Sequence, residues 1–149
     1  MNEEEKGNRG VELAIRWWPS LKPTARFSKD DCDGIDAWLG SEGVQIKYDQ
    51  RSNMTGNIVH EIYEKPPGEP GAKWRGVGKR ATCYIFVNEE WALMVRTDAL
   101  AAYETGMTLK SINNGGTALG FIIPTVKLFG TEGWEAHYHG PTHGKTKEG

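Results

Sequence analysis

The alternation of apolar and polar positions divides the chain into short elements. From about Glu4 to Trp18, the residues Val11, Ala14, Ile15 and Trp18 recur at helical spacing, and Pro19 just beyond is a stop signal. This predicts an opening helix, with Glu12 beside the apolar stripe rather than within it. Residues 25–28 are long enough only for a short extended piece. Two segments then alternate with a period of two, Ile35–Leu39 and Val44–Tyr48. Gly40-Ser41-Glu42-Gly43 between them has the length of a hairpin loop. Ile58–Glu64 is a third candidate strand. The run Pro66-Pro67-Gly68-Glu69-Pro70-Gly71 breaks the pattern and reads as a surface loop.

Ala81–Val87 is the strongest buried strand in the sequence. Asn88-Glu89-Glu90 forms a turn, Trp91–Arg96 returns as a strand, and Thr97-Asp98 caps a short helix reaching about Thr105. The apolar run Leu119–Ile123 ends at Pro124, and the residues after Trp134 are polar. The order helix, three strands, loop, two strands, helix predicts an α/β (mixed α+β) layer structure rather than a bundle or a sandwich. One domain is expected over residues 1–134, with a polar C-terminal tail over residues 135–149.

Length agrees, since 149 residues suffice for one domain with one hydrophobic core. No apolar run approaches the roughly 18 residues of a membrane-spanning helix. The start, Met1-Asn2-Glu3-Glu4-Glu5, lacks the apolar stretch of a secretory signal. Cys32 and Cys83 form neither a CxxC pair nor a disulfide framework, so a reducing cytoplasm is expected.

Charge changes the picture locally. The total is −2, but residues 65–80 hold five basic residues and one acid, a net of +4 that leaves −6 on the rest of the chain. Nucleic-acid binding needs such a local patch rather than a basic whole.

The candidate chemistry lies in the hairpin. Gln45 and Lys47 are two apart, so both point to one sheet face, and the tight connection brings Asp36 close to them. A carboxylate, a second oxygen ligand and a lysine on one face suit a hard divalent cation and a phosphodiester. The same spacing also describes an ordinary solvated sheet face. Other signals are weaker. Asp31-x-Asp33-Gly34 would place Lys29 and Gly40 at the first and twelfth positions of a calcium loop, where ligands are required. Gly78-Lys79 lacks both the earlier glycine and the following hydroxyl of a phosphate-binding loop. His137, His139 and His143 read as solvent-exposed histidines in a polar tail.

The Asp36 strand, the hairpin and Gln45-x-Lys47 resemble the core motif of the PD-(D/E)xK nuclease superfamily, with Gln in the usual acid position. Lys6-Gly7-Asn8-Arg9-Gly10-Val11-Glu12-Leu13 is similar to the first helix of Holliday-junction-resolvase-like members, where a helix glutamate contributes to the metal site. Glu12 is the matching position. Thr55-Gly56-Asn57-Ile58-Val59-His60-Glu61-Ile62 resembles phage and prokaryotic members. So does Lys79-Arg80-Ala81-Thr82-Cys83-Tyr84-Ile85-Phe86 with the strand, Asp and short helix that follow. The resemblance covers about Lys6 to Tyr103.

The resemblance implies a restriction-endonuclease-like core, with a central mixed sheet of about five strands flanked by helices. It implies Mg²⁺-dependent hydrolysis of DNA, with Mn²⁺ substituting, leaving a 5′-phosphate and a 3′-hydroxyl. Asp36, Gln45, Lys47 and Glu12 are the implied catalytic residues. Asp36, Gln45, Glu12, Glu61 and the Ile46 carbonyl are the implied metal ligands, and Lys47 orients or deprotonates the attacking water. Structure-selective cleavage of branched DNA by a homodimer, in the cytoplasm of a prokaryote or a phage-infected cell, is the leading expectation. A sequence-specific restriction or homing-type endonuclease, and a non-catalytic DNA-binding relative, are the alternatives.

The basic segment supplies the expected DNA contacts, with Lys73, Arg75, Lys79 and Arg80 on the phosphates and Trp74 to stack or wedge; a solvated charged turn, with Trp74 as a core anchor, fits the same residues equally. Phosphate contacts carry no base information, so Arg75→Ala with Lys79→Ala is expected to weaken all substrates alike. Each lost contact lowers the salt slope of binding by about 0.9. Affinity titrations across a salt series check this; an unaltered affinity and slope place the DNA path elsewhere.

Overall fold

Helix α1 spans Glu3–Trp17 in the computed structural model, which describes residues 2–25, 28–32, 34–49, 57–63, 81–111, 118–124 and 133–138. Asn2 caps the helix. The Glu5 N–H donates to Asn2 Oδ1 and the Asn2 N–H to Glu5 Oε1, both at 2.8 Å, so two backbone donors are satisfied reciprocally. The Trp18 N–H closes the last turn on the Ala14 carbonyl at 2.9 Å, and Pro19 follows.

A two-residue strand β1 (Lys22–Pro23) and a one-turn helix α2 (Lys29–Cys32) lead into the hairpin of β2 (Ala37–Leu39) and β3 (Glu42–Tyr48). The extended piece expected over residues 25–28 lies earlier, at β1. The hairpin turn is Gly40-Ser41, tighter than the four-residue loop expected. Pairing continues to Leu39 opposite Glu42, and Gly40 has φ 64°, which a two-residue hairpin turn favours. The remaining elements are β4 (Asn57–Tyr63), β5 (Cys83–Val87), β6 (Trp91–Arg96), α3 (Thr97–Glu104), β7 (Lys110–Ser111), β8 (Leu119–Pro124) and β9 (Trp134–Tyr138). Arg96 occupies the N-cap of α3 without a side-chain bond, so Thr97 and Asp98 start this helix rather than cap it.

The chain is a mixed α/β structure whose central sheet has six strands among the described residues, in the order β1-β2-β3-β5-β6-β9, rather than about five. Within it β3 and β5 run parallel and the other neighbours antiparallel. Two features depart from the sequence reading. Strand β4 leaves the main sheet and joins a separate antiparallel sheet, β4-β8-β7. Residues 135–138, expected in the polar tail, belong to β9 and extend the main sheet past β6.

Side-chain alternation divides the main sheet into two faces. On one face, Ala37, Val44, Cys83, Ile85, Val87 and Ala92 pack with Leu13, Ala14 and Trp18 of α1 and its C-terminus. On the other, Tyr84, Phe86, Leu93 and Val95 pack with Ile58 of β4, Ile123 of β8 and Leu100 of α3. Every residue of β5 is buried. Gly120 allows the second sheet to close: a Cβ there would lie 2.4 Å from the His60 carbonyl oxygen, where the β4–β8 ladder shifts register. No helix among the described residues is long and apolar enough to cross a membrane.

A polar clamp holds the start of α1 to the β5–β6 turn. Arg9 donates to both carboxylate oxygens of Glu89, at 2.8 and 2.6 Å, and the Tyr48 hydroxyl donates to the same carboxylate at 2.9 Å. The Arg9 hydrogen bonds hold the Glu89 carboxyl down at about 2. Because that value lies below the ordinary 4.5, the stabilisation is full above pH 4.5 and is lost as pH falls through about 2. The pair is partly exposed, so Glu89→Gln is expected to cost on the order of 1 kcal/mol at neutral pH. Thermal melts check this: the gap between wild type and Glu89→Gln narrows below pH 4.5 and closes by about pH 2.

Candidate active site

Strand register places the hairpin's polar residues. Ala37 pairs with Val44 across β2 and β3, so Asp36, immediately before β2, stands opposite Gln45. Gln45 in turn is the register partner of Tyr84 in the parallel strand β5, and Lys47 that of Phe86. Asp36, Gln45, Lys47 and Tyr84 therefore share the sheet face turned away from α1.

Asp36 does two structural jobs here. Its N–H donates to the Val44 carbonyl at 2.8 Å, and its Oδ2 accepts the Ile46 N–H at 2.7 Å. The carboxylate thus satisfies a β3 donor where β2 has not yet begun. A strand residue sends its N–H and C=O the same way. The Ile46 carbonyl therefore projects to the edge that carries Asp36. The Gln45 amide lies over Gly34, whose φ of +84° turns the chain into β2; a Cβ at Gly34 would sit 3.8 Å from Gln45 Oε1.

Two expected ligands are not brought to this face. Glu12 lies on α1, which covers the opposite face through Val44 and, at Gly10, through Ile46 and Tyr48. Its carboxylate is exposed and accepts from Arg9 at 3.0 Å. Glu61 lies on β4, where Ile58, His60 and Ile62 form the buried side; alternation turns Glu61 to the other side. The expected DNA contacts Lys73, Trp74, Arg75, Lys79 and Arg80 lie outside the described residues, as do His139 and His143. His137 is not a solvated tail residue. It stacks on Trp17 at 4.4 Å and donates from Nε2 to Glu135, which also accepts the Trp18 indole N–H.

Among the described residues no group of three His, Cys, Asp or Glu side chains is placed to hold a metal. Register sets the Asp36 and Gln45 side chains on neighbouring strands, with the Ile46 carbonyl at the Asp36 edge. An all-oxygen set with one carboxylate suits Mg²⁺, which keeps several waters and completes its shell with substrate phosphate. It does not suit Zn²⁺, which favours nitrogen and sulfur.

No protein-family model, curated protein or solved structure matches the chain.

Three residues near this face were not singled out from the sequence. Asp49 continues the Gln45–Lys47 stripe and ties β4 to β3, its Oδ2 accepting the Val59 N–H at 3.1 Å. His60 and Glu104 form a buried pair, at 1% and 6% side-chain exposure, with His60 Nδ1 donating to Glu104 Oε2 at 2.5 Å. His60 Nε2 is buried and has no hydrogen-bond partner among the described residues. The His60 ring stands edge-on to Tyr84 at 5.3 Å and to Phe86 at 6.1 Å. The signal for His60 was present: it takes the apolar parity of Ile58-x-His60-x-Ile62. Glu104 follows buried Leu100 by one helical turn, a link that needs the tertiary partner to be seen. Burial first, then the charges of Glu104 and Asp36, pushes the Tyr84 phenol up to about 12, so it is protonated at neutral pH.

A groove of about 430 Å³ lies on the opposite sheet face, floored by Leu39, Cys83 and Met94 and rimmed by Glu42, Arg96 and Glu135. It contains none of Asp36, Gln45 and Lys47. Burial pushes the Cys83 thiol up to about 11, which leaves it without nucleophilic character at neutral pH.

The His60–Glu104 pair gives a stability test. Glu104→Leu alone strands a buried imidazole donor and is expected to cost about 1–3 kcal/mol. His60→Phe with Glu104→Leu removes both polar groups and is expected to cost clearly less than the two single losses added. Urea denaturation of the four proteins checks the cycle; additive losses would mean the pair is not coupled.

Proposed function

We propose that this chain is a Mg²⁺-dependent DNA endonuclease that cuts branched DNA as a homodimer, with Mn²⁺ able to replace Mg²⁺. The observation that carries the reading is the register that sets Asp36, Gln45 and Lys47 on one sheet face, with the Ile46 carbonyl at the Asp36 edge. The resemblance of this hairpin to the PD-(D/E)xK core supports it.

In this reading Asp36, Gln45 and the Ile46 carbonyl hold the cation. The bound cation supplies Lewis-acid polarisation of the phosphate and a more acidic water. The protein residues do the rest. The Asp36 carboxylate, fixed by the Ile46 N–H, sets where the phosphate stands relative to β3. Lys47, two residues along the same face, orients the attacking water and offsets the negative charge that grows on the phosphate oxygens. The basic segment 65–80 compensates the repulsion between DNA and an otherwise acidic chain. With one such site per chain, cutting two strands calls for two copies.

The test is cleavage of a four-way junction and of a long duplex, each with Mg²⁺ and with EDTA. Junction cutting in Mg²⁺ that EDTA abolishes supports the reading; preference for duplex sites shifts it to a sequence-specific enzyme. Asp36→Asn and Lys47→Ala are expected to abolish cleavage. Asp36→Asn keeps an acceptor for the Ile46 N–H, so folding is retained, as circular dichroism checks. Gln45→Glu is expected to lower the Mg²⁺ requirement and Gln45→Leu to raise it. Equal Mg²⁺ titrations for all three residues at position 45 would remove Gln45 from the ligand set.

A further inference from the structure

Three polar side chains stand side by side across three adjacent strands: Asp36 before β2, Gln45 in β3 and Tyr84 in β5. Strands are spaced about 4.8 Å apart, so Tyr84 lies about 5 Å from the Gln45 strand and 10 Å from the Asp36 strand. That span matches a phosphate and the cation it shares with a carboxylate. Lys47 lies one step along β3 from this row.

The chemistry of Tyr84 differs from that of its neighbours. Asp36 repels a phosphate unless a cation intervenes, and Lys47 attracts it without direction. A phenol is a directional neutral donor. The ring is also held in place. It packs against Phe86 at 6.0 Å and against the edge of His60, whose orientation Glu104 fixes. Tyr84 is 3% exposed while Asp36 and Gln45 are half-buried, so a contact with Tyr84 requires a ligand to enter from the Asp36–Gln45 end of the row.

We infer that Tyr84 donates its phenolic hydrogen to a non-bridging oxygen of the scissile phosphate, with His60 and Glu104 acting as positioning residues behind it. This role rests on the nuclease reading above. Sulfur accepts hydrogen bonds poorly, so replacing the contacted oxygen by sulfur reports the contact.

The experiment compares wild type and Tyr84→Phe on a four-way junction in Mg²⁺, with oxygen or either phosphorothioate diastereomer at the cut site. Tyr84→Phe keeps the ring and its packing, and its melting temperature is expected to match wild type. Its kcat is expected to fall by about 100- to 1,000-fold, as for loss of one transition-state donor, with KM unchanged. One sulfur diastereomer slows wild type and leaves Tyr84→Phe unaffected. If wild type cuts and Tyr84→Phe cuts equally, the Tyr84 role is overturned while the nuclease reading stands. If wild type cuts none of the substrates, the nuclease reading falls and the Tyr84 role with it. If Tyr84→Phe does not fold, equal wild-type rates for both diastereomers and oxygen overturn the contact, and so does restoration of the slowed diastereomer by Mn²⁺, which assigns the sulfur effect to the cation.

Discussion

Strand β5 has no side it can leave in water. Tyr84 and Phe86 point one way, Cys83, Ile85 and Val87 the other, and all five are buried. Two covers are therefore required, and the chain supplies one from each direction. Helix α1 arrives from the N-terminal side and lays Leu13 and Ala14 over one face. Strands β4 and β8 with helix α3 close the other with Ile58, Ile123 and Leu100. Parallel pairing of β3 with β5 is a further consequence: an antiparallel partner can follow through a short turn, whereas a parallel one needs a long crossover. The segment between β3 and β5 contains β4, which is how the second cover is delivered.

That two-sided burial decides where polar chemistry can sit. On β3, the helix takes Val44, Ile46 and Tyr48, so Gln45, Lys47 and the residue after the strand, Asp49, fall on the other face. There the second layer covers only part of the sheet, and Asp36, Gln45 and Lys47 remain half-buried. His60 and Glu104 stand deeper in the same layer, joined by one hydrogen bond at His60 Nδ1. The site is a gradient from half-exposed oxygen donors to a buried imidazole, with the Tyr84 ring between.

Much of this was legible in the sequence wherever a pattern was local. Helix α1, with its stripe and its proline stop, falls within a residue of its expected limits, and so does β6 from Trp91 to Arg96. The hairpin and the shared face of Gln45 and Lys47 followed from a period of two. The failures involve partners distant in the chain. Nothing in Ile58–Glu64 says that β4 pairs with β8 instead of β3. Trp134-Glu135-Ala136-His137-Tyr138 looks like the start of a tail until β6 is there to receive it. Glu12 is kept from the polar face by the place of α1. A helix that covers the apolar parity of β3 cannot also deliver a carboxylate to the polar parity, and both parities were readable. Glu61 fails by one residue in the same way, since a one-residue offset on a strand reverses the face.

The ends of the main sheet differ in a way that bears on solubility. An edge strand exposes donors and acceptors that another chain can pair with. At one edge the outermost strand is only Lys22 and Pro23. It is two residues long, begins with a lysine, and its proline has no N–H to offer an incoming strand. At the other edge β9 is longer, but it carries Glu135 and His137 on one face, and both side chains are tied back to the tryptophans at the end of α1. Sheet growth by strand addition is thus opposed at the first edge by missing backbone chemistry. At the second it is opposed by a charged residue that the fold has already engaged. The same short, proline-bearing strand that adds little to the core guards the folded chain against ordered self-association.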